Sequence, residues 1–197
     1  MDFLPIKRAL LSVTHKDGLA EFGAFLSANG VELVSTGGTL KFLEQAGLPV
    51  TAVSAVTGFP EILGGRVKTL HPRIHGGILA DKDNPDHLKT LSEMNILPFD
   101  LICVNLYDFE SALAKGLKPR EAIEEIDIGG PCMLRAASKN YHSMLVLSDP
   151  SFYAEAMNEM KSSDMAVSLA FRQRMAARTF ARTAQYDAMI AGYLEKA

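Results

Sequence analysis

Short apolar runs alternate along the chain with stretches whose apolar residues recur every three or four positions. Ala9–Val13 reads as a buried strand, and the segment after it sets Leu19, Phe22, Phe25 and Leu26 on one helical face. Gly30 is placed to end that helix. Val31–Val34 reads as a second strand, Gly37-Gly38 leads into a short helix ending near Gly47, and Val50–Val53 reads as a third strand. Leu101–Leu106 and Ser143–Leu147 are further strands, and Asp149-Pro150 starts the next helix. Strand and helix in alternation predict right-handed βαβ units. The expected fold is α/β, a doubly wound, mostly parallel sheet with helices on both faces.

From about Asp164 the chain reads as helical to its end, so residues from about 150 to 197 form a helical extension. Tyr186, Met189, Ile190 and Tyr193 follow the spacing of a core-facing stripe there. Arg174, Arg178 and Arg182 line a different face, read as solvated or ion-paired. No repeat or linker divides residues 1–197, which are expected to form a single domain.

A chain of 197 residues, 48% hydrophobic and 22% charged, can bury a substantial core. No apolar run approaches the roughly 20 residues that span a bilayer, and Met1–Arg8 lacks the apolar segment of a secretory signal. The expected setting is cytoplasmic, without membrane contact. Cys103 and Cys132 make neither a disulfide framework nor a metal-ligand spacing, so no metal is expected. The net charge of -3 argues against a nucleic-acid partner. A small anionic ligand remains compatible, because Arg66, Lys68, His71, Arg73 and His75 cluster in a stretch without acids. That cluster lies in Gly58–Ala80, a glycine-rich segment read as long, irregular and functional.

Two turns carry candidate chemistry. After the first strand, Ser12-Val13-Thr14-His15-Lys16-Asp17 fits a capping box between Thr14 and Asp17. The helix it opens would favour an anion, with Ser12, Thr14 and Lys16 adding donors. After the second strand, Ser35-Thr36-Gly37-Gly38-Thr39 allows backbone N–H groups to approach a phosphate closely, with hydroxyls alongside. Each is also an ordinary strand-to-helix turn. Two of them at the carboxyl ends of successive parallel strands favour a monophosphate cradle.

The run Gly65-Arg66-Val67-Lys68-Thr69-Leu70-His71-Pro72 is far more specific. With Thr57-Gly58-Phe59-Pro60-Glu61, Asn105-Leu106-Tyr107, Asp127-Ile128-Gly129-Gly130, Arg135 to Asn140 and Thr183-Ala184-Gln185-Tyr186-Asp187, it occurs in the order of a known family. From about Leu10 to Tyr193 the sequence closely resembles the IMP cyclohydrolase domain, the N-terminal half of bifunctional AICAR formyltransferase/IMP cyclohydrolases.

That resemblance implies a methylglyoxal-synthase-like fold, closure of formyl-AICAR to IMP in purine biosynthesis, no cofactor, and a homodimer. It also implies roles for residues. Ser12, Thr14, His15 and Lys16, with Thr36, Gly37, Gly38 and Thr39, would hold the phosphoribosyl end. Arg66, Val67, Thr69, Asn105, Ile128 and Gly129 would surround the base. Lys68, Tyr107, Asp127 and Lys139 would form the catalytic group, although a regular helix from Asp127 to Lys139 would hold them about 18 Å apart. His15 stands where the family usually has aspartate, and Asp108 where it usually has proline. If the chain is complete, a separate AICAR-formylating enzyme acts upstream. The alternatives are a methylglyoxal-synthase-type lyase and a non-catalytic nucleotide-binding regulatory module.

Overall fold

A computed structural model describes residues 1–107, 109 and 116–196. The expectation for Asp108 lies outside them.

Five parallel strands form the central sheet: β2 (Arg8–Ser12), β3 (Glu32–Ser35), β4 (Val50–Ala52), β5 (Leu101–Val104) and β6 (Leu145–Leu147). Their order is β4-β3-β2-β5-β6. Leu10, Leu11, Val34, Leu101, Ile102, Leu145, Val146 and Leu147 are buried, as continuous apolar runs must be when both faces of a sheet are covered. Helices α1 (Leu19–Ala28) and α2 (Gly37–Gln45) form the crossovers that step from β2 through β3 to β4. Helix α7 (Gly129–Lys139) lies in the crossover from β5 to β6, which steps the other way. Right-handed crossovers running in opposite directions place their helices on opposite faces. The doubly wound α/β fold predicted from the alternation is the one observed.

The cavity-side loops are shaped by short elements between β4 and β5. Helix α3 (Val53–Thr57) ends at Gly58, whose φ is +67°, and a 3-10 turn spans Leu63–Gly65. The segment Gly58–Ala80 is not irregular throughout. Pro72–Leu79 forms helix α4, with Pro72 in its first turn and His71 Nδ1 accepting the Arg73 N–H at 3.1 Å. Helix α5 (Pro85–Glu93) uses the same device, Asn84 accepting from Asp86 N before Pro85.

After β5 come α6 (Pro119–Glu124), α7, β6, and α8 (Tyr153–Ser162), which follows a 3-10 turn capped by Asp149. The extension is not wholly helical after Asp164. Ala166–Ser168 is a strand, β7, pairing antiparallel with β1 (Phe3–Pro5) before the long helix α9 (Leu169–Leu194). The Arg172 guanidinium is fully buried and donates to the carbonyls of Met1, Tyr141, His142 and Val167, tying the N-terminus to α9. Tyr186 is buried, and Met189, Ile190 and Tyr193 pack on the core as their spacing predicts. Arg174 pairs with Glu155, and Arg178 lies over the Phe152 ring. Among the described residues, no helix is long and apolar enough to cross a membrane.

Candidate active site

The sheet order reverses direction between β2 and β5, and at such a switch point the loops diverge and leave a crevice. Here it is a cavity of about 800 Å³, within the usual range for a small-molecule site. Asn105, one residue past β5, closes its floor. Its Oδ1 accepts the N–H groups of Thr14 at 2.5 Å and His15 at 3.2 Å, and its Nδ2 donates to the His15 carbonyl at 3.0 Å. These bonds explain why the expected capping box does not form. The Thr14 N–H is already taken, the chain turns through Gly18 at φ +68°, and α1 starts only at Leu19. Lys16 lines the cavity with its Nζ donating back to the Val13 and Thr14 carbonyls.

On the β3 side, α2 begins at Gly37 with Thr36 as its N-cap, so the N–H groups of its first turn have no helical acceptor. They border the cavity, where an anion would complete them. Gly37 has φ +57°, and a Cβ there would stand 3.8 Å from Lys68 Nζ. The Thr39 hydroxyl serves the fold instead, donating to Val13 O at 2.9 Å and accepting from Val13 N at 3.0 Å.

The cationic loop closes the opposite wall. Ile62 and Val67 form an isolated antiparallel bridge, which brings Glu61 and Lys68 together just outside it. Lys68 Nζ lies 3.3 Å from Glu61 Oε1. Gly65, with φ +95°, packs under this pair, and a Cβ on it would fall 2.7 Å from Glu61 Oε1. Arg66 forms a paired contact with Glu124 of α6, joining two walls of the cavity. Thr69 is buried against Gly129, where a Cβ would sit only 2.8 Å from its Oγ1.

Asp127, two residues before α7, lines the same cavity. Its Oδ1 accepts the Gly130 N–H at 2.9 Å, and its own N–H donates to the Tyr186 hydroxyl at 2.9 Å. Glycine is needed at 130, because a Cβ would collide with the Asp127 carboxylate. Burial raises the Asp127 pKa above the ordinary carboxylate value, against the Gly130 hydrogen bond. Between the ordinary and the raised value the folded state holds more protons than the unfolded one. Stability therefore falls as pH rises through that window. Asp127→Asn keeps an acceptor for Gly130 and removes the charge. It is expected to raise the urea midpoint at neutral pH, the gain shrinking toward acid; a lower midpoint at neutral pH would refute this.

The structure gathers most of the expected residues around one space. Ser12, Thr14, Lys16, Thr36 to Thr39, Arg66, Lys68, Thr69, Asn105, Tyr107, Asp127, Ile128 and Gly129 all border it. Three do not. His15 is exposed and contributes only backbone bonds, and Val67 uses its backbone to pair with Ile62. Lys139 is exposed at the far end of α7, which is regular from Gly129 onward, so within one chain it stays about 18 Å from Asp127. Glu124, Ile126 and Met133 line the cavity without having been anticipated, since no local motif marks them. Glu61 ends the Thr57–Glu61 motif, but its pairing with Lys68 depends on the Ile62–Val67 bridge. Among the described residues no three His, Cys, Asp or Glu side chains converge to hold a metal.

Comparison with known proteins agrees with this architecture. Residues 18–132 match the MGS-like domain, and residues 137–197 match the AICARFT/IMPCHase bienzyme family. The bifunctional purine biosynthesis protein PurH of Ruegeria pomeroyi is 52% identical over 193 residues, covering 98% of this chain and 36% of that protein. PurH of Enterococcus faecalis is 52% identical, over 95% of this chain and 37% of that protein. The chain thus spans little more than a third of these relatives. The crystal structure of ForH superposes with a TM-score of 0.84 at 33% identity, over 94% of this chain and 95% of that one. The chain belongs to the MGS-like domain family and, through its C-terminal segment, to the AICARFT/IMPCHase bienzyme family, matching the IMP cyclohydrolase region of PurH.

Proposed function

We propose that the protein is an IMP cyclohydrolase, closing formyl-AICAR to IMP with release of water. The observation that carries this reading is that Lys68 and the partly buried Asp127 line one cavity whose wall also includes the open N-terminus of α2. The phosphate of the substrate completes the N–H groups at Gly37 and Gly38, with Lys16 and the Thr36 hydroxyl beside it. The base lies between Arg66, Thr69, Asn105 and Ile128.

The reaction joins the carboxamide nitrogen to the formyl carbon. That nitrogen gives up one proton, and the formyl oxygen takes on negative charge. The formamide nitrogen then loses its proton as the C=N bond forms, and the formyl oxygen leaves as water. Holding the two groups in contact supplies much of the acceleration, with effective molarities of about 10^5 M or more in well-oriented cases. Lys68 stabilises the developing alkoxide. Asp127 orients the amide and accepts its proton, since burial makes its carboxylate a stronger base. Tyr107, half-exposed at the cavity edge, relays a proton to the departing oxygen. Lys139 has no such role within a single chain. A homodimer, a cytoplasmic setting and formylation of AICAR upstream belong to the same reading.

Incubation of the purified protein with formyl-AICAR, followed by the rise of IMP absorbance, tests it. Steady turnover is expected. Saturable IMP binding without turnover would instead favour a regulatory nucleotide-binding module.

A further inference from the structure

Helix α9 supplies no side chain to the cavity lining, yet one of its residues touches the site from behind. Tyr186, only 3% exposed, reaches Asp127 across 59 residues of sequence. Its hydroxyl oxygen accepts the Asp127 N–H at 2.9 Å. On the cavity side Asp127 Oδ1 is held by the Gly130 N–H, and its carboxylate lies against the Gly130 Cα. The residue is therefore pinned at both ends, its backbone by α9 and its carboxylate by α7. The two matched sequence segments meet at this bond, Asp127 in the first and Tyr186 in the second.

We propose that Tyr186 is a positioning residue for ring closure, holding the Asp127 backbone so that its carboxylate stays aimed at the amide nitrogen. This rests on the cyclohydrolase reading above. The phenol suits the task because it stays neutral. Burial raises its pKa, the Asp127 N–H opposes that, and the charges of Asp127, Asp187 and Tyr107 add to the rise. The bond therefore persists across the neutral range. Without the hydroxyl, the half-buried Asp127 N–H loses its acceptor, a cost relieved only if the 126–128 segment shifts toward water. A displacement near 1 Å is enough to cost about a hundredfold in rate.

The test is Tyr186→Phe in the full chain, which keeps the ring and its packing. The expected result is a kcat for IMP formation lower by about 10- to 100-fold, with KM for formyl-AICAR within about twofold. Hydrogen exchange of the Asp127 amide, followed by NMR, should quicken at least about tenfold relative to the α9 amides. In an Asp127→Asn background the same substitution should leave the residual rate unchanged. A full kcat despite faster Asp127 exchange would overturn the proposal, as would unchanged exchange. An unsubstituted chain that forms no IMP is a different failure: it removes the cyclohydrolase reading, and the ring-closure role with it.

Discussion

Lys68→Met is expected to lower kcat for IMP formation by about 10^2- to 10^3-fold, the effect of removing one preorganised group that stabilises a developing oxyanion. Methionine preserves the length and the apolar stem and removes only the charge. The fold should tolerate it. The Lys68–Glu61 pair is partly exposed on both sides, and such pairs contribute at most about 1 kcal/mol. The thermal midpoint should therefore hardly move, which separates chemistry from stability. The kinetic pattern also discriminates between roles. A fall in kcat with KM unchanged marks an interaction made only in the transition state, whereas a raised KM at unchanged kcat marks simple ground-state attraction to the anionic substrate. The second pattern would remove Lys68 from the chemistry and leave it among the phosphate-binding groups. Single-turnover mixing of formyl-AICAR with excess enzyme excludes product release as the source of the difference.

Asp100→Ala should produce the largest loss of stability, about 3–5 kcal/mol, for the opposite reason: this carboxylate serves the fold alone. Asp100 is 9% exposed, and its Oδ2 accepts the N–H groups of Lys7 and Arg8 at 2.8 Å each. Its other oxygen pairs with Lys82, whose Nζ also donates to Phe99 O at 2.7 Å. Removing one member of a buried ion pair leaves the other charge uncompensated. Burial already lowers the Lys82 pKa, and Asp100 is the chief influence opposing it. Between the lowered and the ordinary lysine value the unfolded state holds more protons, so stability rises with pH through that window. In the variant the window extends to lower pH, and the rise should be steeper. Urea unfolding at neutral and alkaline pH measures both effects. A loss under about 1 kcal/mol at neutral pH would show that water reaches Lys82 and that the pair is not effectively buried.

Asp100 and Asp127 are both carboxylates at strand or helix termini, and nothing local in the sequence separates them. Their surroundings do. Asp100 is matched by a cation and two backbone donors at the amino ends of the interior strands β2 and β5, away from the cavity. Asp127 has one donor to its carboxylate, no cation in contact among the described residues, and the cavity before it. A charge left incompletely matched at a concave surface is a mark of a functional group, because folding alone gives no reason to keep it.

Central strands and the first two crossover helices were legible from residue order, because a buried parallel strand must be continuously apolar and an amphipathic helix must repeat near 3.6. The cavity-lining glycines at the start of α2 and the Arg66 to Pro72 loop were legible too, since backbone approach and local charge leave compositional marks. Strands β1 and β7 were not. Each is three residues long, and their partnership joins the two ends of the chain, so neither carries a periodic signal alone. The Thr14–Asp17 capping box was a sound local inference that lost to a distant competitor, the Asn105 side chain. Lys139 belonged to a legible motif, but helix geometry carried it away from Asp127. Tyr186 read as core and is core, yet its hydroxyl meets a residue 59 positions earlier. Local propensity and periodicity act over a few residues and were enough for the central elements and the fold class, whereas the family was legible only from its specific motifs in order. Which side chains face one another across the cavity depends on long-range closure, where a few competing hydrogen bonds decide the outcome.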